Sequence, residues 1–219
     1  MINGMKADKG HVCSEDLERI KEQERQRIVR SLDPHFLFNT LGAIRIATKT
    51  NADLAYDMIY DFSKYLRIVI RMLTYKGDIL FKEETAHIIS YINLEKIRFG
   101  DNIIFQMDIR AQNFMLPPLS IQPLVENAVR HGLKNGKLKG VITIRSYQAP
   151  SEYVVQVEDD GIGFETGSDM GRLADDGAEG SGLQRVRYLI EKMAGGSMDI
   201  KSFIGIGTIV TLHIPKTKQ

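Results

Sequence analysis

The sequence predicts an α+β chain: an N-terminal helical hairpin, then helices packed on one face of a mixed sheet. Three observations predict it. Over the first third, apolar residues recur at spacings of three and four. Beyond Gly77, stretches at 103–109, 141–147, 153–159, 198–202 and 208–214 alternate apolar with polar. Helical patterns fall between those stretches, and some joints are too short for crossovers, so the sheet must mix parallel and antiparallel neighbours.

Residues 14–46 read as one long helix. Ser14 and Asp16 offer N-cap chemistry, and charged residues alternate with Leu17, Ile20, Ile28, Leu32, Phe36 and Ala43. Pro34 lies inside it, removes a backbone donor and bends the helix. A second helix over 53–73 carries Leu54, Met58, Phe62, Tyr65, Val69 and Met72 on one stripe, and a polar link, 49–52, joins the two. A lone hairpin leaves its stripes uncovered. A second copy completing a four-helix bundle is the simplest cover, so a homodimer is expected.

Gly77 opens a second unit, giving a division into residues 1–76 and 77–219. Residues 78–82 read as a short strand, and 83–99 as a helix with Ile88, Ile92 and Phe99 on one side. Further helices are expected at 118–133 and 183–193, the latter burying Val186, Ile190 and Met193.

Composition narrows the function classes. In 219 residues, 29 Lys and Arg nearly cancel 28 Asp and Glu. A net charge of +1 gives no reason to expect nucleic acid or an anionic membrane as partner. The only cysteine, Cys13, excludes an internal disulfide and suits a reducing compartment. No run approaches the ~18 apolar residues of a membrane span, and the polar N-terminus is not a secretory signal. The chain as given is expected to be soluble and cytoplasmic. His, Cys and acidic residues lack the spacing of a zinc site, and no serine or cysteine nucleophile constellation is visible. His213 alternates onto a polar strand face; His11 and His87 have no partner that spacing identifies.

Three features of the second unit converge on one ligand. On the helix containing Pro123 to Gly132, Asn127, Arg130, His131 and Lys134 share a face opposite Ile121, Leu124, Val125 and Ala128. That face suits a metal and polyphosphate, and equally a solvated surface. At the end of a strand, Asp159 alternates onto the apolar side with Val155 and Val157. A carboxylate there needs a donor; the exocyclic amine of adenine is one, and Gly161 and Gly163 remove side chains where a flat base would approach. The same residues also fit a simple Asp-Gly hairpin turn. Finally, Gly180, Ser181, Gly182 and Leu183 open a helix whose first N–H groups favour phosphate. The preceding stretch, 164–179, is rich in Gly and Asp and reads as a lid over a nucleotide, or as a plain surface loop.

Together these motifs resemble the Bergerat-type ATPase fold shared by histidine kinases, gyrase-type topoisomerases and heat-shock chaperone ATPases. The resemblance covers residues 78–215 and implies an α/β sandwich with a mixed sheet. Asn127 lies at the family's Mg-binding Asn, and Asp159, Gly161 and Gly163 match its DxGxG box. Gly180 and Gly182 match its second glycine box, and Gly205-Ile206-Gly207-Thr208 its closing Gly-x-Gly-Thr. Four positions before Asn127, where gyrase-type enzymes place a hydrolytic base, stands Pro123; rapid free-standing ATP hydrolysis is not expected.

The first unit chooses among the relatives. Asp33-Pro34-His35-Phe36-Leu37-Phe38-Asn39-Thr40-Leu41 is similar to the histidine motif of LytS/YesM-type sensor histidine kinases. Leu94 to Gly100 and Pro123 to Gly132 also resemble that subgroup. Asp33 departs from it, standing where an Asn is usual: a carboxylate there either helps accept the imidazole proton or repels phosphate.

The resemblance implies residues 1–76 as dimerisation and phospho-acceptor helices and 77–219 as an ATP-binding catalytic domain. It implies ATP and Mg²⁺ as cofactors, a response regulator as partner, and a membrane link only through a sensory region absent from this chain. His35 would take the γ-phosphoryl group; its unperturbed pKa of ~6.5 leaves the ring mostly neutral near pH 7. Asn39 would orient the ring, Asp33 and Glu126 are the nearby acidic candidates, and Asn127 would hold Mg²⁺. Arg130, His131 and Lys134 would face the phosphates. Asp159 would fix adenine beside Gly161, Gly163 and Thr208, with Gly180, Gly182 and Leu183 cradling phosphate. The alternative is a non-catalytic nucleotide-binding scaffold.

Overall fold

Helices α1 (Pro34–Thr50) and α2 (Ala52–Thr74) are separated by one residue, Asn51, in the computed structural model of the chain, which describes residues 34–74, 77–132, 140–164 and 181–216. The corner is built by that residue. Asn51 Oδ1 accepts the Leu54 N–H at 3.0 Å, an N-cap for α2, while its own N–H closes α1 on the Ala47 carbonyl. The hairpin corner is thus tighter than the four-residue link expected. The expected N-terminal part of the first helix, before Pro34, lies outside the described residues. Phe36, Thr40, Ile44 and Ala47 form the buried stripe of α1, and Ala55, Met58, Phe62, Tyr65, Val69 and Met72 that of α2.

A two-residue strand β1 (Ile79–Leu80) leads into α3 (Phe81–Phe99), which starts two residues earlier than its pattern suggested because Phe81 is fully buried. After a short 3-10 turn come β2 (Ile103–Ile109), β3 (Met115–Leu116) and α4 (Gln122–Gly132). β3 pairs antiparallel with β1, a pairing too short for periodicity to reveal. The remaining elements are β4 (Gly140–Gln148), β5 (Glu152–Asp159), α5 (Ser181–Tyr188), β6 (Ser197–Phe203) and β7 (Gly207–Pro215). Helix α5 runs into a widened π turn, Leu189–Met193, closed by the Ala194 N–H on the Leu189 carbonyl. The extra residue rotates Met193 off the buried stripe; Val186 and Ile190 are buried as expected, but Met193 is exposed.

The main sheet has the order β2-β4-β5-β7-β6. β2 and β4 are parallel, with α4 in the connection between them, and every other pairing is antiparallel. Its helix-facing side carries Ile142, Ile144, Val155, Val157, Val210, Leu212 and Met198, in one buried cluster that continues through α3 and α4 into the hairpin. No helix among the described residues is long and apolar enough to cross a membrane.

Candidate active site

Helix α4 is sorted by face. Leu124, Val125, Ala128 and Val129 are buried, which turns Glu126, Asn127, Arg130 and His131 toward partly exposed positions. Its N-terminus is held by α3. The fully buried carboxylate of Glu84 accepts the backbone N–H groups of Ile121 and Gln122, filling donors that a helix end leaves unpaired. Burial nonetheless pushes the Glu84 pKa up to about 7. One turn later on α3, His87 is fully buried and bonded through Nε2 to Gln122 Oε1. Sequence spacing had offered this histidine no partner; Gln122, on a distant helix, is that partner. Burial drives the His87 pKa down to about 4, so the ring is neutral.

The sheet supplies the second wall. Asp159 follows Val155 and Val157 on the helix-facing side, opposite Ile142 of β4 and Thr208 of β7, and Thr208 lies opposite Ser202 of β6. The apolar face therefore ends in a polar row of Asp159, Thr208 and Ser202. The two hydroxyls of that row are 2.9 Å apart. Backbone N–H groups of Gly161 (3.0 Å) and Thr208 donate to the Asp159 carboxylate. Burial outweighs both and raises its pKa to about 6.

The glycines mark where backbones close on one another. A Cβ on Gly161 would stand 2.6 Å from the His131 carbonyl oxygen at the end of α4. Gly163 has φ +60°, and a Cβ there would stand 2.0 Å from the Phe203 carbonyl oxygen at the end of β6. Gly182, in the first turn of α5, faces α4: its Cβ position is 3.7 Å from Asn127 Nδ2 and 3.6 Å from Pro123 Cβ. Leu183 packs partly buried on the core and anchors that turn. Helix α4 is thus met by the DxGxG turn at its end and by α5 at Asn127, which brings together three motifs that are far apart in sequence. Gly180, Lys134 and Asp33, and the expected lid from residue 165 to 179, lie outside the described residues.

His35 is exposed on α1, and the amide nitrogen of Asn39, one turn on, lies 3.0 Å from its Nδ1 and 3.2 Å from its Nε2. The adjacent Phe36 points the other way. It is buried edge-on against Tyr65 at 5.0 Å and tilted against Tyr91 at 4.9 Å between ring centroids. Sequence reasoning missed Ser202, although its alternation with Met198 and Ile200 held the signal. It also missed Glu84, Tyr65 and Gln122, whose roles depend on contacts between helices that no local pattern encodes.

Chemically, the site offers a half-buried carboxyl with hydroxyl neighbours and a side-chain amide beside a helix start; Gly161 and Gly163, expected to clear space for a flat base, instead admit the backbone of His131 and Phe203. The carboxyl, hydroxyls and amide fit an amine-bearing flat ring joined to an anionic chain.

Comparison with known proteins agrees with this geometry. The family profile described as Histidine kinase matches residues 23–103, and that described as Histidine kinase-, DNA gyrase B-, and HSP90-like ATPase matches residues 119–218. The protein YwpD of Bacillus subtilis (strain 168) is 33% identical over 190 residues, covering 85% of this chain and 68% of that one. The sensor histidine kinase YpdA of Escherichia coli (strain K12) is 34% identical over 210 residues, covering 92% and 36%. The sensor histidine kinase YesM of Bacillus subtilis (strain 168) is 31% identical over 203 residues, covering 90% and 34%. The chain spans about a third of the length of these two sensor kinases. Among solved structures, the histidine kinase domain of the Erythrobacter litoralis blue-light activated histidine kinase shares the fold. Its TM-score is 0.51 at 18% identity, covering 90% of this chain and 94% of that one. Profiles over both the hairpin and the sheet, with relatives matched across nearly the whole chain, show that it belongs to the histidine kinase family, in the LytS/YesM-type sensor branch, and is a protein-histidine kinase core.

Proposed function

We propose that the chain binds ATP between α4, the end of β5 and the start of α5, autophosphorylates on His35, and passes the phosphoryl group to an aspartate of a response regulator. Residues 1–76 act as the dimerising phospho-acceptor unit and 77–219 as the catalytic unit, in a homodimer on the cytoplasmic side of a membrane-anchored receptor. The observation that carries the reading is Asp159: a carboxyl at the end of an apolar sheet face, kept above its ordinary pKa by burial, beside glycines whose missing side chains let the end of α4 and the end of β6 close on the segment after β5.

The adenine amine donates to Asp159, with Thr208 and the backbone at Gly161 and Gly163 shaping the pocket floor. The N–H groups at Gly180, Gly182 and Leu183 hold phosphate oxygens, and Arg130, His131 and Lys134 offset their charge. Asn127, set beside Gly182, supplies an amide oxygen of the hard type Mg²⁺ prefers. When bound, Mg²⁺ neutralises charge on the phosphates, and phosphoryl transfer of this class needs mainly positioning and charge neutralisation.

At the acceptor, an amide N–H aimed at a ring nitrogen occupies the lone pair needed for attack. With the Asn39 amide turned over, its oxygen accepts the Nδ1 proton and Nε2 becomes the nucleophile. Glu126, and Asp33, two positions before His35 in the sequence, are the acidic groups proposed to take the proton that leaves the imidazole.

The test is incubation with γ-labelled ATP and Mg²⁺. Acid-labile, alkali-stable label is expected on the wild-type chain and is lost in His35→Gln. Label that survives the substitution would refute the assignment.

A further inference from the structure

A buried polar chain links the hairpin to α4, and Gln122 is its centre. The side-chain amide of Gln122 is buried, with both N–H donors and its carbonyl oxygen committed. Nε2 donates to Tyr65 Oη at 2.9 Å and to Glu126 Oε1 at 2.6 Å; Oε1 accepts from His87 Nε2. The neutral His87 must carry its proton on Nε2 to make that bond. Turning the amide over would set its oxygen against the Glu126 carboxylate, which can only accept. The orientation of Gln122 is therefore fixed by Glu126, and Gln122 in turn holds the Glu126 carboxylate through that bond.

The other arm reaches the phospho-acceptor helix. The Tyr65 ring stacks on His87 at 4.8 Å between centroids and meets Phe36, the neighbour of His35, at 5.0 Å. One buried amide thus touches α2 directly, α1 through a ring contact, and the acidic residue that precedes Asn127.

We propose that Gln122 is a positioning residue: it aims the Glu126 carboxylate for phosphoryl transfer and ties that aim, through Tyr65, to the packing of the His35 hairpin. The proposal rests on the reading of this site as the kinase centre and adds a residue that acts through Glu126. A group that only stabilised the fold would lower stability and nucleotide binding together. A positioning group lowers the rate at saturating ATP and leaves binding intact.

The experiment measures autophosphorylation rate at saturating Mg-ATP, and nucleotide Kd with a fluorescent analogue, for the wild-type chain, Gln122→Met, Glu126→Gln and the double variant. Gln122→Met keeps the volume and removes the N–H donor. The expected result is a rate lower by about tenfold with Kd within about twofold, the loss of one charge-assisted hydrogen bond expressed only in the reacting complex. In the Glu126→Gln background the same substitution should cost nothing further. Tyr65→Phe keeps the ring contacts with Phe36 and His87; it should fold normally and give a smaller loss of rate, which keeps the test valid if Gln122→Met is unstable. An unchanged rate in Gln122→Met or Tyr65→Phe, a parallel loss of rate and affinity, or additive losses in the double variant would each overturn the positioning role alone. An unlabelled wild-type chain would overturn the kinase-centre reading and this proposal with it.

Discussion

The Asp159 carboxylate accepts the Gly161 N–H at 3.0 Å, yet burial still lifts its pKa to about 6. An acid raised above its ordinary value of 3.8 keeps its proton below pH 6 in the folded chain. If the ionised form is what receives the adenine amine, that proton must leave on binding. Nucleotide affinity should then weaken by about tenfold per pH unit as pH falls below about 6. Titration of the nucleotide's own phosphate is common to wild type and Asp159→Asn, so the difference between their pH slopes isolates the carboxyl. Calorimetry over pH 4.5–7.5 gives both slopes, and equal slopes would dismiss Asp159 as the proton-linked group.

Two glycines of the site should respond in opposite ways. Gly163→Ala forces a side chain at φ +60° into the Phe203 carbonyl, and the fold should lose at least about 2 kcal/mol in urea denaturation. Gly182→Ala meets only ordinary contacts at 3.6–3.7 Å and should change stability by no more than about 0.5 kcal/mol. Its methyl group stands beside the Asn127 amide, so nucleotide Kd should rise while the melting temperature holds.

Much of this site was legible because its residues obey local periodicity. Asp159 could be assigned to the helix-facing side from Val155 and Val157, and the two faces of α4 from a spacing of three and four. What escaped was set by contacts between elements. His87 bonds Gln122 across two helices, and Glu84 caps a helix that starts far along the chain. The short strand expected at 78–82 is present as β1, but its partner β3, only two residues long, lies below the length at which alternation is visible. Met193 was misassigned because a π turn shifts the phase of a stripe that a uniform helical period would continue.

The hairpin presents apolar side chains away from its own core. Phe38 and Leu41 on α1, and Tyr56, Ile59, Tyr60 and Ile70 on α2, are exposed. If a second copy covers them, each removed side chain should cost the association about 1.5–3 kcal/mol. Ile59→Glu with Tyr60→Glu should halve the mass seen by light scattering and leave the far-ultraviolet dichroism of the chain unchanged. A wild-type chain already monomeric at micromolar concentration would remove this face as a dimer interface.

Glu84 and His87, one turn apart on α3, titrate against each other. His87 is depressed from 6.5 to about 4 by burial. Its contribution to stability is complete above pH 6.5 and is lost as pH falls toward 4. Glu84 is raised from 4.5 to about 7, also by burial, so its contribution is complete below pH 4.5 and is lost as pH rises toward 7. Between pH 4.5 and 6.5 the folded chain keeps a proton on Glu84 that the unfolded chain releases, and lacks one on His87 that the unfolded chain takes up. The two slopes, each about 1.4 kcal/mol per pH unit at most, oppose and largely cancel. Removing either group should expose the other. In that window the stability of Glu84→Gln should rise with pH relative to wild type, and that of His87→Phe should fall. Asp159 contributes equally to all three proteins and drops out of the differences. Urea denaturation at half-unit pH steps reads the slopes directly; three parallel curves would mean that neither group is held in the protonation state its burial dictates.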